Sequence, residues 1–327
     1  MWEDQCIENL MQKILITGFS GFVSSHLLQY LSRTGTGFEI IGISRNNFTP
    51  GPYKNLQIKG YKADLKNTEL ARQIIQTEKP EAIIHLASES SVAYSWQQPV
   101  SSFQNNTNIF LNLVETVRHL KLPCRILSVG SSEEYGIFAP GTLPLTEEHE
   151  LNPISPYAVA RVSQEMLSKI YAQGYGLDII MTRSFNHIGP GQKDNFVVSS
   201  FAEQIVKIKK GVSAVFETGN VDIVRDFLDV RDVVIAYMQL LEHGRRGEIY
   251  NVCSGVGYSL KEIIIKMMQI AGISFDYTVN PALIRPSDNP VIVGDNTKIL
   301  NECNWQPVIA IEKSLRDILA YWEQKLN

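Results

Sequence analysis

The chain has 327 residues, too many for one small core and enough for one large domain or two medium ones. Apolar residues make up 44% and charged residues 20%, an ordinary globular balance, and a net charge of −4 excludes a global basic field for nucleic acid or anionic membrane. Cys6, Cys124, Cys253 and Cys303 stand far apart with no neighbouring His, which argues against a zinc site or disulfide framework and for a reducing, cytoplasmic setting.

No apolar run approaches the roughly 20 residues of a membrane span. The leader Met1–Gln12 carries Glu3, Asp4 and Glu8 and lacks the basic start and apolar stretch of a signal peptide. It is expected to pack loosely or fray, and Met11 offers a second start.

Lys13–Thr17 reads as the first strand and Phe22–Leu31 as a helix. Between them Gly18 allows a tight turn, and Gly21 lets backbone N–H groups approach a pyrophosphate at the helix N-terminus. Ser24 stands where a third glycine would permit close helix–strand packing. A second strand, Glu39–Ser44, ends in Ser44 and Arg45. An acidic residue there would suit the ribose of NAD; a hydroxyl and a guanidinium suit a 2′-phosphate, so NADP(H) is favoured over NAD(H). Asp64 and Leu65 follow a third strand, placed to meet adenine, with a helix cap as the alternative role for Asp64.

A helix over Lys66–Glu78, a strand over Ala82–Leu86, a helix over Val100–Leu120 and a strand over Arg125–Val129 come next. Gly130–Gly136 (GSSEEYG) brings two hydroxyls and two carboxylates. If that segment is extended, Glu134 faces away from Glu133 and is structural. The helix Ser155–Gln173 then carries Tyr157, with Arg161 four residues on along the same face. A phenol is a poor acid at neutral pH, and a cation one turn away favours its charged form. The alternative is that Arg161 points outward as an ordinary helix charge.

After the strand Leu177–Arg183 the rhythm breaks into loops rich in Gly, Pro, Asn and Asp, followed by helices such as Lys261–Ala271 and Ile311–Lys325. Val230–Ser254 is expected to return to the sheet through a strand at Ile249–Val252. The alternation predicts an α/β fold: a Rossmann-type doubly wound parallel sheet with a smaller, mostly C-terminal α+β substrate lobe. The expected division is 1–185 and 230–254 for the NADP-binding domain, and 186–229 and 255–327 for the lobe.

Thr17–Phe22 (TGFSGF), Asp64-Leu65, His85–Ser88 (HLAS), Gly130–Gly136, Tyr157–Arg161 (YAVAR), Arg183–Gly191 (RSFNHIGPG), Val224–Asp232 (VRDFLDVRD) and Arg285–Asp288 (RPSD) follow one another in order. Together they resemble the extended short-chain dehydrogenase/reductase superfamily across nearly the whole chain. Within it, the chain looks most like the GDP-6-deoxy-D-mannose reductases, near relatives of the GDP-mannose 4,6-dehydratases. One departure stands out: Arg161 occupies the position of the family's lysine.

The resemblance implies that Gly18, Phe19, Ser20, Gly21 and Phe22 line the pyrophosphate and that Ser44 and Arg45 meet the 2′-phosphate. Asp64 and Leu65 would contact adenine, while Leu86, Ala87, Ser88 and His187 border the nicotinamide. Ser131 matches the hydroxyl beside the sugar C4 oxygen, and Tyr157 the catalytic tyrosine. Asn186, Arg225 and Arg285 match residues that hold the substrate's diphosphate and nucleoside; an ion pair with Asp226, Asp229 or Asp232 is the plainer role for Arg225. A homodimer built on the helices near Val100–Leu120 and Ser155–Gln173 is expected on the same ground.

The activity expected is NADPH-dependent reduction of a GDP-linked 4-keto-6-deoxy sugar to GDP-D-rhamnose. Glu133 keeps a second reading open, since its spacing from Ser131 matches the base of the dehydratases: a nucleotide-sugar 4,6-dehydratase or C4 epimerase. The third is a non-catalytic NADP-binding scaffold whose site the arginine has disabled.

Overall fold

A computed structural model describes residues 12–34, 37–47, 51, 53–284 and 289–327. The leader as far as Met11 and the Arg285–Asp288 motif lie outside the described residues. The main sheet takes strands β1 (Lys13–Thr17), β2 (Phe38–Ser44), β3 (Leu56–Lys62), β4 (Ala82–His85), β5 (Arg125–Val129) and β6 (Asp178–Ser184). Four short strands follow: β7 (Asn186–Ile188), β8 (Phe216–Thr218), β9 (Val224–Asp229) and β10 (Ile249–Val252). The last are β11 (Gly257–Ser259), β12 (Tyr277–Val279) and β13 (Val291–Ile292).

The helices are α1 (Phe22–Thr34), α2 (Thr68–Glu78), α3 (Val92–Gln97), α4 (Pro99–Phe103), α5 (Ile109–Leu120) and α6 (Pro156–Gly174), then α7 (Val197–Lys209), α8 (Val230–His243), α9 (Leu260–Ala271), α10 (Thr297–Cys303) and α11 (Ile311–Lys325).

Seven parallel strands run in the order β10-β6-β5-β4-β1-β2-β3. The order reverses between β1 and β4, as in a doubly wound sheet, and that crevice is where such folds bind ligands. The strands are apolar nearly throughout because both faces are covered. Ile14 and Ile16 pack with Leu27 and Leu31 of α1 and Tyr237 and Leu240 of α8 on one face. Leu15, pointing the other way, joins Ile74 and Ile75 of α2 and Phe110, Leu113 and Val117 of α5. As expected, the segment after residue 230 returns to the sheet, with α8 against α1 and β10 beside β6.

A separate apolar core gathers Phe201 and Ile205 of α7, Ile263 of α9, and Leu315, Ile318 and Trp322 of α11. Over it lie a four-stranded sheet of β11, β9 and β13 with β7 on β9, and the pair β8–β12.

The helix expected over Val100–Leu120 is interrupted. Between α4 and α5 the chain widens into a π turn at Gln104–Asn108. There Asn105 and Asn106 turn their amides back onto the carbonyls of Ser101 and Ser102. Asn106 also brackets Glu89, accepting from its N–H at 3.0 Å and donating to its carbonyl at 3.2 Å. Polar side chains that compete for backbone partners are what open such turns, commonly near functional sites. The composition of the stretch after residue 185 also concealed two long helices, α7 and α8.

Candidate functional site

The residues singled out in the first half of the chain meet at the carboxyl ends of the parallel strands. Gly18 turns the chain out of β1 at φ +67°, a left-handed conformation that suits glycine. A Cβ on it would come within 2.9 Å of the Leu86 and Ala87 backbone, so the β1 turn and the β4 turn are in contact. Thr17 joins them again: its Oγ1 accepts from Ala87 N–H at 3.1 Å and lies 3.0 Å from His85 Nδ1. The first turn of α1 carries no acidic residue, leaving its N–H groups to an incoming anion. Phe19 buries its ring over Gly42 and donates its backbone N–H to Ile43 O at 3.1 Å, which ties the turn to the end of β2.

Ser20 and Ser44 hydroxyls pair at 2.7 Å, and the exposed Arg45 guanidinium reaches Asn105 Oδ1 at 3.4 Å. Asp64 is half-buried, ion-paired with Lys66 at 3.7 Å; it does not cap α2, a role that falls to Asn67. Leu65 is part of the core. Leu86, Ala87 and Ser88 are half-buried at the end of β4. The glycine turn, the open helix N-terminus and the hydroxyl pair backed by a guanidinium fit a dinucleotide carrying an extra phosphate.

At the end of β5 the GSSEEYG segment is not extended. It forms a 3-10 turn, Ser132–Glu134, capped on both sides: Ser131 Oγ accepts from Glu133 N–H at 3.3 Å, and Glu134 Oε1 accepts from Ser131 N–H at 2.6 Å. The Ser131 hydroxyl, used here as an acceptor, keeps its proton for another partner. Glu133 is half-buried, and no hydrogen bond to its carboxylate is present among the described residues. Glu134 is fully buried instead, beside Glu165. Burial first and the Glu165 charge second push its carboxyl well above the usual range. Glu165 keeps its charge against burial because Arg183 grips both its oxygens at 2.8 and 2.9 Å and Lys169 adds a third contact at 3.0 Å.

Ser155 caps α6, accepting from Ala158 N–H at 3.1 Å, and Pro156 occupies the first helical position. Tyr157 is thereby set in the first turn. Arg161 does not point outward. It is 4% exposed, with Nε 3.1 Å from the Tyr157 hydroxyl and Cζ 5.2 Å from the ring centre. Nη1 bonds Val129 O at 3.1 Å and Gln164 Oε1 at 2.7 Å. α6 packs on the turn that carries Ser131, so the phenol, the guanidinium and the hydroxyl belong to one wall.

Two histidines border this wall. Burial, and then the Arg161 charge, lowers His85 to about 3; burial lowers His187 to about 4. Both rings are neutral at neutral pH, and Nε2 of His85 and Nδ1 of His187 are buried with no partner among the described residues. His187 Nε2 lies 3.2 Å from the Tyr237 hydroxyl, which also meets Ser184 Oγ at 2.9 Å. Tyr237 and Gln164 are the site neighbours that sequence reasoning missed. Tyr237 lies on the apolar face of α8, where nothing in the pattern separates it from core; for Gln164, the three-residue spacing from Arg161 was the available signal.

Asn186 opens β7 half-buried, and Gln192 donates to the His187 carbonyl at 2.8 Å, tying the following loop down. Arg225 is buried, with Nη1 on Asn289 O at 2.7 Å and Val224 O at 3.0 Å. The three aspartates considered for it have other donors: Asp226 takes Ser254, Gly255 and Gly294, Asp229 takes Arg231 and Ser314, and Asp232 takes Val308 and Ile309. Arg285 lies outside the described residues.

Residues 15–318 match the family model described as GDP-mannose 4,6 dehydratase. The GDP-6-deoxy-D-mannose reductase of Pseudomonas aeruginosa is 35% identical over 319 residues, covering 97% of this chain and 99% of its own. The GDP-6-deoxy-D-talose 4-dehydrogenase of Aggregatibacter actinomycetemcomitans is 29% identical, covering 88% of this chain and 90% of its own. Among solved structures, RMD from Pseudomonas aeruginosa complexed with NADPH superposes with a TM-score of 0.85 at 34% identity, over 96% of this chain and all of that one. UDP-glucose 4-epimerase of Thermotoga maritima with UDP-glucose gives 0.87 at 26% identity, over the same shares. The parallel sheet, its strand order and these matches agree: the chain belongs to the GDP-mannose 4,6-dehydratase family, within the extended short-chain dehydrogenase/reductases.

Proposed function

We propose that this protein is an NADP(H)-dependent reductase acting on the C4 ketone of a GDP-linked 4-keto-6-deoxy sugar, converting GDP-4-keto-6-deoxymannose to GDP-D-rhamnose. The observation that carries the reading is the Tyr157 hydroxyl held 3.1 Å from the buried Arg161 Nε, on the wall that also bears Ser131. The reductase and the NADPH-bound relative support the substrate class and the cofactor.

Gly18, Phe19, Ser20, Gly21 and Phe22 would hold the pyrophosphate and Ser44 with Arg45 the 2′-phosphate; Asp64 and Leu65 are assigned to adenine, and Leu86, Ala87, Ser88 and His187 to the nicotinamide side. When bound, this cofactor supplies the hydride. The protein's own task is the ketone oxygen. As negative charge grows there, Ser131 donates its remaining proton as a hydrogen bond, and Tyr157 hands over the proton that completes the alcohol. Arg161 keeps a permanent positive charge against the phenol oxygen and stabilises the phenolate left behind. Asn186, Arg225 and Arg285 are assigned to the nucleoside diphosphate. The residues 1–185 with 230–254 would form the cofactor domain and 186–229 with 255–327 the substrate lobe.

Pure protein given the ketosugar and NADPH should lose nicotinamide absorbance, and Tyr157→Phe should lower kcat about 10²–10⁴-fold while NADPH still binds. An unchanged signal with the parent protein overturns the reading. The half-buried Glu133 carboxylate favours one second reading, a dehydratase or epimerase in which it acts as a base. Conversion of GDP-mannose without added nicotinamide would select it. A scaffold would bind NADP(H) and stay silent with Lys or Arg at position 161.

We also propose a homodimer. The neighbouring α4 and α6 expose Val100, Phe103, Val159, Met166 and Ile170, an apolar face fit for a second copy.

A further inference from the structure

We propose that Gln164 is a positioning residue for this reaction, the group that makes an arginine serviceable at position 161; the assignment rests on Tyr157 being the proton donor. A guanidinium is a planar fork, and its charge is useful to the phenol only in one orientation, whereas an ammonium is a rotatable point charge. Two contacts set the fork. Nη1 is held by Val129 O at 3.1 Å and by Gln164 Oε1 at 2.7 Å, and that leaves Nε facing the Tyr157 hydroxyl.

The Gln164 amide cannot turn over. Its Nε2 donates to Ser128 Oγ at 2.9 Å and to Val129 O at 3.1 Å, and a carbonyl oxygen accepts only from a donor. Turned round, the amide would set oxygen against the Val129 oxygen and N–H against the guanidinium. Ser168 Oγ, 3.0 Å from Ser128 Oγ, closes the far end. Gln164, Ser128 and Ser168 are all buried, so each broken bond leaves a polar group without water. The chain of contacts runs Ser168, Ser128, Gln164, Arg161, Tyr157, and only its last member faces the chemistry.

A double-mutant cycle tests this, with initial rates on GDP-4-keto-6-deoxymannose and NADPH. Gln164→Met keeps the volume and removes the acceptor; it should lower kcat roughly tenfold, with the KM for the ketosugar changed by less than about twofold. In the Arg161→Lys background the same substitution should change kcat by less than about threefold, because the ammonium needs no steering. Equal losses in both backgrounds, or no loss in the parent, overturn the proposal and leave Gln164 as core packing. Should Gln164→Met fail to fold, Ser128→Ala loosens the same amide and should show a smaller loss with the same dependence on Arg161. Tyr157→Phe separates the two failures: full activity in that variant defeats the proton-donor reading, whereas an inactive Tyr157→Phe with an additive cycle defeats only the role of Gln164.

Discussion

Glu134 lies buried under the turn that carries Ser131 and holds that turn in shape. Its Oε1 accepts from Ser131 N–H, and a Cβ at Gly130 would lie 2.5 Å from that oxygen, so the turn is built around an acid that has no room to move. Because its folded pKa is raised, its contribution to stability is fully present below the unfolded value near 4.5 and is lost as pH rises through the folded value. Glu134→Gln keeps the acceptor for Ser131 and cannot ionise. Thermal melting of that variant should therefore fall less than that of the parent as pH rises above the unfolded value near 4.5. Glu134→Leu, which strands the Ser131 N–H, should cost about 1–3 kcal/mol in denaturant unfolding. A steeper decline in the Gln variant would show that Glu134 is ionised in the fold. The sequence marked this segment as chemical, and Tyr157 with Arg161 as a pair at helical spacing. It did not reveal that Glu134 is buried beside Glu165, because 31 residues separate them and only the packing of α6 on the turn brings them together.

At the scale of elements, the β1–α1 turn has the least freedom. Gly18→Ala would place a side chain at φ +67° and against backbone atoms of Leu86 and Ala87 that cannot rotate away. The backbone conformation alone costs roughly 1–2 kcal/mol, and fluorescence titration should show weaker NADPH binding along with the lower melting temperature. The edge strand β3 is secured differently. Glu78 of α2 meets Lys59 and Tyr61 of β3 and Lys13 of β1. Burial alone would raise Glu78, but hydrogen bonds from Lys59, Tyr61 and Lys13 outweigh it and hold the carboxyl at about 2. A depressed carboxyl stabilises above its unfolded value near 4.5 and loses that contribution as pH falls toward 2. Glu78→Gln should thus lower the melting temperature at pH 7 and narrow its gap from the parent as pH drops from 4.5 to 2. A constant gap across that window would exclude the linkage. The helix α2 and its neighbours were visible as amphipathic runs; the π turn at Gln104–Asn108 was not, since its Asn106 is held by the backbone of Glu89, after β4.

For the whole molecule, the proposed homodimer would use the exposed apolar face of α4 and α6. Ile170 is 56% exposed on α6, far from its first turn where Tyr157 sits, so Ile170→Glu should split a dimer without touching the site. Light scattering should report half the parent's mass with kcat little changed; an unaltered mass would place any contact between copies elsewhere. Local chemistry determined much of this protein from its sequence alone. β-branched runs between amphipathic ones yield a parallel sheet, glycines after the first strand yield a tight turn into α1, and a Ser-Pro pair yields a helix start that sets Tyr157, because each depends on neighbours a few residues away. What only the tertiary structure decided lies where distant segments meet in a dry interior. Arg161 faces inward because Val129 and Gln164 offer it acceptors, burial and then the Glu165 charge hold the Glu134 carboxyl above its usual range, and Arg225 reaches the carbonyl of Asn289 far along the chain. Away from water a polar group's state is set by whichever partners the fold supplies, and no stretch of sequence contains them.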